Sequence, residues 1–447
     1  MVENDDIIKR DKELISDAFR VSFFPLAVEK AKGAKIMDVE GNEYIDLLGS
    51  AAVANVGHGN QKVVDSIKKK ADDLIHYTPA YMYSESVINL AEQLTKITPG
   101  NFPKKVRLGL SGSDSNDGAI KFARGYTERS KVVSFINSYH GSTYGALSLS
   151  GLVLNMRKKL GPFLPEIYHT PYPDCYRCPF GQKYPQCDLL CLDYFEKTLL
   201  DTIIPPEEVA AVIIEPIQGD AGIIIPPEEF HSELKRICEE HGILFVDEEV
   251  QMGFGRSGKW FAIEHWDIEP DMIILGKAIA SGMPLSALVA RKEIMESLDA
   301  PADLFTCEGN PLSCEASLST INEIKDKDLI EKSRKDGKYL KEQLENLAKK
   351  HELIGDVRGL GLSAGVDLVK DQESKERAAE EALKVCWRCY EQGLILVTLH
   401  ECVLRIQPPL VISREEIDEA LRIIDKSITE VENGQVPDSV LDNMEGW

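Results

Sequence analysis

Four short apolar runs each stop on residues that can do chemistry, and no other feature of the chain constrains it as much. Val132-Val133-Ser134-Phe135-Ile136 leads to Tyr139-His140-Gly141. Val209-Ala210-Ala211-Val212-Ile213-Ile214 stops at Glu215-Pro216, and Ile243-Leu244-Phe245-Val246 at Asp247-Glu248-Glu249. Met272-Ile273-Ile274-Leu275-Gly276 ends on Lys277. Runs of this length, bounded by polar clusters, read as buried strands. Open α/β sheets bind ligands outside the carboxyl ends of their strands. The four ends are therefore expected to meet at one site, bringing an amine, carboxylates and an aromatic pair. Taken singly, each has a plainer reading, a snorkelling Lys or a solvated Glu; taken together they favour a site.

From about residue 100 to 315 the strand-like runs alternate with helical patterns, which predicts an α/β fold with a mostly parallel sheet flanked by helices. Helix-like stretches include 114–126 and 227–241, the latter stopped by Gly242. Near the N-terminus, 34–39 and 44–47 flank the turn Glu40-Gly41-Asn42, a hairpin pattern. Beyond about residue 315 the texture changes. One long charged helix is expected over 317–351, then short strands at 361–368 and 403–406 with helices between and after. This gives three expected regions: an N-terminal segment 1–70 packing on a small domain, a large domain 71–315, and a small α+β domain 316–447.

With 447 residues the chain can bury a large core. Its net charge of −23 argues against nucleic acid or an anionic membrane as partner. No apolar stretch reaches the roughly 18 residues a bilayer span needs, and the acidic start Met1-Val2-Glu3-Asn4-Asp5-Asp6 lacks a signal-peptide pattern. A cytoplasmic enzyme is the expectation. Four of the ten cysteines cluster as Cys175, Cys178, Cys187 and Cys191. Their spacing allows a structural metal, two disulfides or four free thiols. Nothing else ties that loop to catalysis, and no catalytic metal is expected.

Val106-Arg107-Leu108-Gly109-Leu110 runs into Ser111-Gly112-Ser113-Asp114-Ser115-Asn116 and then a helical pattern. A strand, a small-residue turn and a helix N-terminus make an anion site from free N–H groups and the helix dipole. Simple capping of the helix is the alternative. Neither nucleotide-binding glycine motif is present. A Lys for a Schiff base, a stacking aromatic, a carboxylate for a pyridine nitrogen and a phosphate cup together match the needs of pyridoxal phosphate.

At this point most of the chain resembles the fold-type I, class III aminotransferase family. The residues that carry the likeness are Ser111 to Asn116, Tyr139-His140-Gly141, Glu215 to Gly219, Glu248 to Arg256, Leu275-Gly276-Lys277 and Thr306 to Pro311. The resemblance implies a homodimer, or a dimer of dimers, with sites at the subunit interface and pyridoxal 5′-phosphate on Lys277. It further implies that Gly112 and Ser113 form the phosphate cup, that Tyr139 stacks on the pyridine, and that Gln251 stands beside the phenolic oxygen. Thr306 matches a residue that reaches the neighbouring subunit's phosphate, and Arg405 one that grips the substrate carboxylate; Tyr77 and Tyr81 are candidate floor residues for the substrate. Where the family writes an Asp for the pyridine nitrogen, this chain has Glu248, with Asp247 as the alternative after a one-residue slip.

Among subfamilies the chain most resembles isoleucine 2-epimerases and broad-specificity amino-acid racemases. The shared stretches are His76 to Tyr81, Asn137 to Gly145, Gly161 to Pro165, Pro171 to Asp174 and Leu404 to Leu410. The resemblance implies inversion at Cα of an α-amino acid through an imine on Lys277. Asp220 stands where family aminotransferases typically carry Glu, which makes it a candidate second acid/base; a structural pairing with Arg405 or another cation is the alternative. Two other readings stay open: an aminotransferase using an ω-amine or 4-aminobutyrate-like donor, and a cofactor-retaining binding protein.

Overall fold

In the computed structural model, residues 3–444 are described. They divide into two compact units: 61–255 with 259–327, and 3–60 with 256–258 and 328–444. Among the described residues, no helix is long and apolar enough to cross a membrane.

The larger unit is built on a seven-stranded sheet. Its strands in chain order are β1 (Lys104–Gly109), β2 (Lys131–Phe135), β3 (Ile167–Thr170), β4 (Val209–Ile214), β5 (Leu244–Glu248), β6 (Met272–Leu275) and β7 (Ser286–Arg291). Across the sheet the order is β1-β7-β6-β5-β4-β2-β3. All neighbours pair in parallel except β7, which is antiparallel to both β1 and β6. The mostly parallel α/β architecture read from the sequence is thus the observed one. β4 is buried at every position, as a strand covered on both faces must be.

Helix α1 (Gly112–Thr127) lies against the sheet through Ala119, Ile120, Phe122 and Ala123, which join Val132, Ile213, Val246, Ile274 and Leu288 in one core cluster. Helix α2 (Phe230–His241) ends at Gly242, whose φ of 62° is the left-handed cap that glycine supplies without a Cβ clash. Because β2, β4, β5 and β6 are adjacent and parallel, the four apolar runs finish on one edge of the sheet. β1, parallel to them across β7, delivers the start of α1 to that same edge.

In the smaller unit, Lys35–Asp38 and Glu43–Asp46 form the antiparallel hairpin, and Ser363–Leu368 pairs with Val403–Ile406. The single long helix expected over 317–351 is not formed. Two helices stand there, Pro311–Asp326 and Leu329–Ala348, broken at Asp328, whose φ is 48°. The sequence Lys325-Asp326-Lys327-Asp328 has no Gly or Pro to announce that turn. Each helix also belongs to a different unit.

The anchor of the smaller unit is Arg256, whose side chain is fully buried. Its Nη1 donates to the carbonyls of Leu362 (2.9 Å) and Pro408, and its Nη2 to Asn55 Oδ1 at 2.5 Å. The Ser333 hydroxyl donates to its carbonyl oxygen. Burial, and then the neighbouring Arg405, push its pKa down to about 9. A planar fork serves several acceptors that a single ammonium cannot. Arg256→Lys should therefore strand buried carbonyl groups and cost roughly 2–4 kcal/mol, seen as a lower urea midpoint at unchanged m-value.

Candidate active site

Lys277 follows β6 directly and opens a 3-10 turn, Lys277–Ala280. Its φ is 43°, a left-handed value that an L side chain adopts at a cost of about 1–3 kcal/mol when the surroundings impose it. Strain of this kind concentrates at functional positions. The side chain is half-buried.

Two carboxyl groups share the electrostatic field of Lys277. Glu215, just after β4, is buried, and its pKa is pushed up to about 7 by burial; Asp220 adds to the rise, while two backbone N–H groups and Lys277 oppose it. Glu248, the last residue of β5, is pushed well above the usual range by burial and Glu215, against the pull of Lys277. His140 Nδ1 lies 3.9 Å from Glu248 Oε2. The ring is buried, which drops its pKa to about 3 and keeps it neutral. Its Nε2 meets Ser134 Oγ at 3.1 Å, while Nδ1 has no hydrogen-bond partner.

Side chains alternate along β5, so Asp247 and Glu249 face away from Glu248. Asp247 is fully buried, with no hydrogen bond to either carboxyl oxygen. Burial, then Glu249 and Glu248, hold its pKa well above the usual carboxylate range. Of the two residues weighed for a pyridine nitrogen, Glu248 is the one whose surroundings include Lys277.

At the start of α1, Ser111 and Asp114 form a capping box: Asp114 N donates to Ser111 Oγ (3.4 Å) and Ser111 N to Asp114 Oδ2 (3.1 Å). Ser111 therefore serves the cap, and Gly112 and Ser113 carry the first helical N–H groups. Asn116 Nδ2 donates to the carbonyls of Gly112 and His140, both at 3.0 Å. Ser142 N donates to Ser113 Oγ at 3.1 Å. These bonds tie the helix start to the Tyr139-His140-Gly141 turn. Gly141 has φ 130°, and a Cβ there would stand 2.1 Å from Ser113 Oγ, so the close approach needs glycine. Gln251 Nε2 donates to Asp220 Oδ1 at 3.1 Å.

Other candidates sit apart in kind. Tyr77 and Tyr81 are exposed, at 55% and 71%, and Thr306 lies in an exposed turn. Arg405 belongs to the smaller unit, where it is buried and its Nε donates to Gln407 Oε1 at 2.6 Å. Of the three states open to Cys175, Cys178, Cys187 and Cys191, the structure has four free thiols, and the other six cysteines are free as well. Among the described residues, no group of three or more His, Cys, Asp or Glu is placed to hold a metal ion. Burial raises Cys175 to about 11 and Cys191 to about 12.

Sequence reasoning gave no separate role to His140, Asn116 or Val250. Val250 Cγ1 lies where a Cβ on Gly112 or Gly276 would fall, 2.9 and 3.0 Å away, so it fills the space between those two turns. The glycines in both turns were the available signal for that close packing.

A model of the aminotransferase class-III family matches residues 17–428. A leucine/methionine racemase of Thermococcus litoralis is 49% identical over 446 residues, covering 100% of both chains. An isoleucine 2-epimerase of Lentilactobacillus buchneri is 48% identical, covering 96% of each. Among solved structures, a Bacillus anthracis aminotransferase superposes with a TM-score of 0.88 at 30% identity, covering 95% of this chain and 98% of that one.

Glu249 yields a pH prediction. Its Oε1 accepts from Ile263 N at 2.8 Å, and burial raises its pKa from 4.5 to about 8. The folded state thus holds a proton that the unfolded chain releases above 4.5, so this contribution to stability is full at low pH and lost as pH climbs to about 8. Glu249→Gln keeps the acceptor and removes the titration. Its melting temperature should fall less than the parent's between pH 5 and pH 8.

Proposed function

The chain belongs to the class III aminotransferase family, and from that premise we propose that it binds pyridoxal 5′-phosphate and inverts Cα of an α-amino acid, as a racemase or epimerase of branched-chain or broad specificity. The residues at the sheet edge suit such a cofactor. The close-packed turn of Ser113 and Gly141 leaves helix N–H groups for a phosphate. The buried Glu248, held above its usual range with a neutral His140 beside it, gains a stabilising partner if a cationic ring nitrogen docks there. When bound, pyridoxal phosphate supplies the aldehyde and the electron-withdrawing ring that acidify the Cα proton.

This chain's own residues then divide the work. Lys277 would hold the cofactor until the substrate amine displaces it, and its freed amine would then take the Cα proton on one face. Asp220, its carboxyl held by Gln251, returns a proton on the other. Tyr139 supplies the ring that stacks, Gln251 also serves the phenolic oxygen, and Arg405 is assigned to the substrate carboxylate. The observation that carries the reading is the bond from Gly219 N to Glu215 Oε2 (2.9 Å), which ties the Asp220 turn to the strand edge that leads to Lys277. End-to-end likeness to a racemase and an epimerase supports it.

The exposed apolar residues Leu74, Ile75, Tyr77, Tyr81, Met82 and Tyr83 support self-association as a homodimer or a dimer of dimers. In that assembly Thr306 is assigned to the neighbouring subunit's phosphate, and Tyr77 and Tyr81 to the substrate floor. A cytoplasmic location belongs to the same reading.

The test is to incubate the holoenzyme with L-leucine and no keto acid, then separate the enantiomers by chiral chromatography. D-leucine should accumulate toward an equal mixture. Asp220→Ala should slow inversion at least about 100-fold while leaving the visible absorbance of bound cofactor. Turnover only after a 2-keto acid is added would replace this reading with an aminotransferase.

A further inference from the structure

Glu215 makes one bond with each carboxyl oxygen, and the two bonds reach different turns. Oε1 accepts from Tyr139 N at 3.0 Å, and Oε2 accepts from Gly219 N at 2.9 Å. The first turn follows β2 and carries the ring assigned to stacking. The second follows β4 and carries Asp220 as its next residue. That second turn is closed on itself by reciprocal bonds between Gln218 and Ile224, at 3.1 and 2.9 Å, and by Gly222 N to Gly219 O at 3.0 Å. Moving Gly219 therefore moves Asp220.

Little freedom is left to Glu215. The buried Tyr172 hydroxyl points at the carbonyl oxygens of Glu215 (3.0 Å) and Pro216 (3.1 Å). The following residue is Pro216, which restricts the backbone of Glu215 further. The residue is 4% exposed, and Gly219 itself is closed in: a Cβ there would stand 2.3 Å from Gln251 Oε1. A bidentate bridge in such a site behaves as a fixed strut rather than as a solvated side chain.

We infer that Glu215 is a positioning residue that sets the placement of the Asp220 turn relative to the Tyr139 ring, and so fixes where the second proton donor stands. The inference rests on the racemase reading of Asp220. Chemistry explains the choice of side chain. Two N–H donors need two acceptor oxygens, which a carboxyl group offers in either protonation state. A Gln would set an amide N–H against one backbone N–H. An Asp keeps both oxygens but is one methylene too short to span both turns.

The test uses holoenzyme of Glu215→Gln and Glu215→Asp with L- and D-leucine in deuterium oxide. Deuteration at Cα with retention reports Lys277 for one enantiomer and Asp220 for the other, and deuteration with inversion requires both groups. In both variants the ratio of inversion to retention should fall about 10- to 100-fold, and the visible circular dichroism of bound pyridoxal phosphate should change as Tyr139 shifts. A wild-type ratio and dichroism in both variants overturns the inference. So does wild-type behaviour of Glu215→Asp alone, which assigns the effect to charge, and so does failure of both variants to retain cofactor, which makes Glu215 a residue of the fold. Asp220→Ala separates the two levels: if it still inverts leucine, the racemase assignment of Asp220 fails; if it does not, the outcome for Glu215 stands on its own.

Discussion

Five adjacent strands, β3-β2-β4-β5-β6, run the same way, and their direction decides where polar groups can stand. A parallel sheet is covered on both faces, so its strand interiors must be apolar. Side chains that need partners are therefore confined to the ends of the strands. Glu215, Glu248 and Lys277 all occupy the carboxyl edge, and the Tyr139-His140-Gly141 turn follows β2 there. The arrangement is costly. Several carboxyl groups in one buried region raise one another's pKa, and Lys277 opposes the rise without cancelling it. The apolar cluster running from α1 into the sheet supplies the burial that offsets this cost.

The smaller unit solves a related problem with a cation. Arg256 takes carbonyl and amide oxygens from three separate segments, and its charge is tolerated because its hydrogen-bonding capacity is largely spent. Both units thus place an ionisable group where chain segments far apart in sequence converge. Glu215 links residues 139 and 219 as Arg256 links 55, 362 and 408.

The strands and their chemical ends were legible because apolar runs bounded by polar residues have few alternatives, and because one parallel edge gathers their termini. That Asp247 and Glu248 face opposite ways was legible from the two-residue period of a strand. What was not legible depended on partners distant in the chain. Glu215 reads as one more acidic strand end until Tyr139 and Gly219 are seen against its two oxygens. For the Ser111 segment the sequence left an anion site and a helix cap both open, and Ser111 closes a capping box with Asp114. The break at Asp328 carries no glycine or proline, so a charged helix seemed to continue through it. Glu249 had no role of its own in the sequence, and its bond from Ile263 N, a residue 14 positions on, is a contact no local pattern announces.

The backbone of Lys277 has a consequence beyond its amine. A residue at φ 43° would be more comfortable as glycine, yet Lys277 is also the cation that opposes the raised pKa values of Glu215 and Glu248. A backbone cost and an electrostatic gain fall on one residue. Shortening this side chain relieves the first and forfeits the second, so the position offers no replacement without a consequence for the fold.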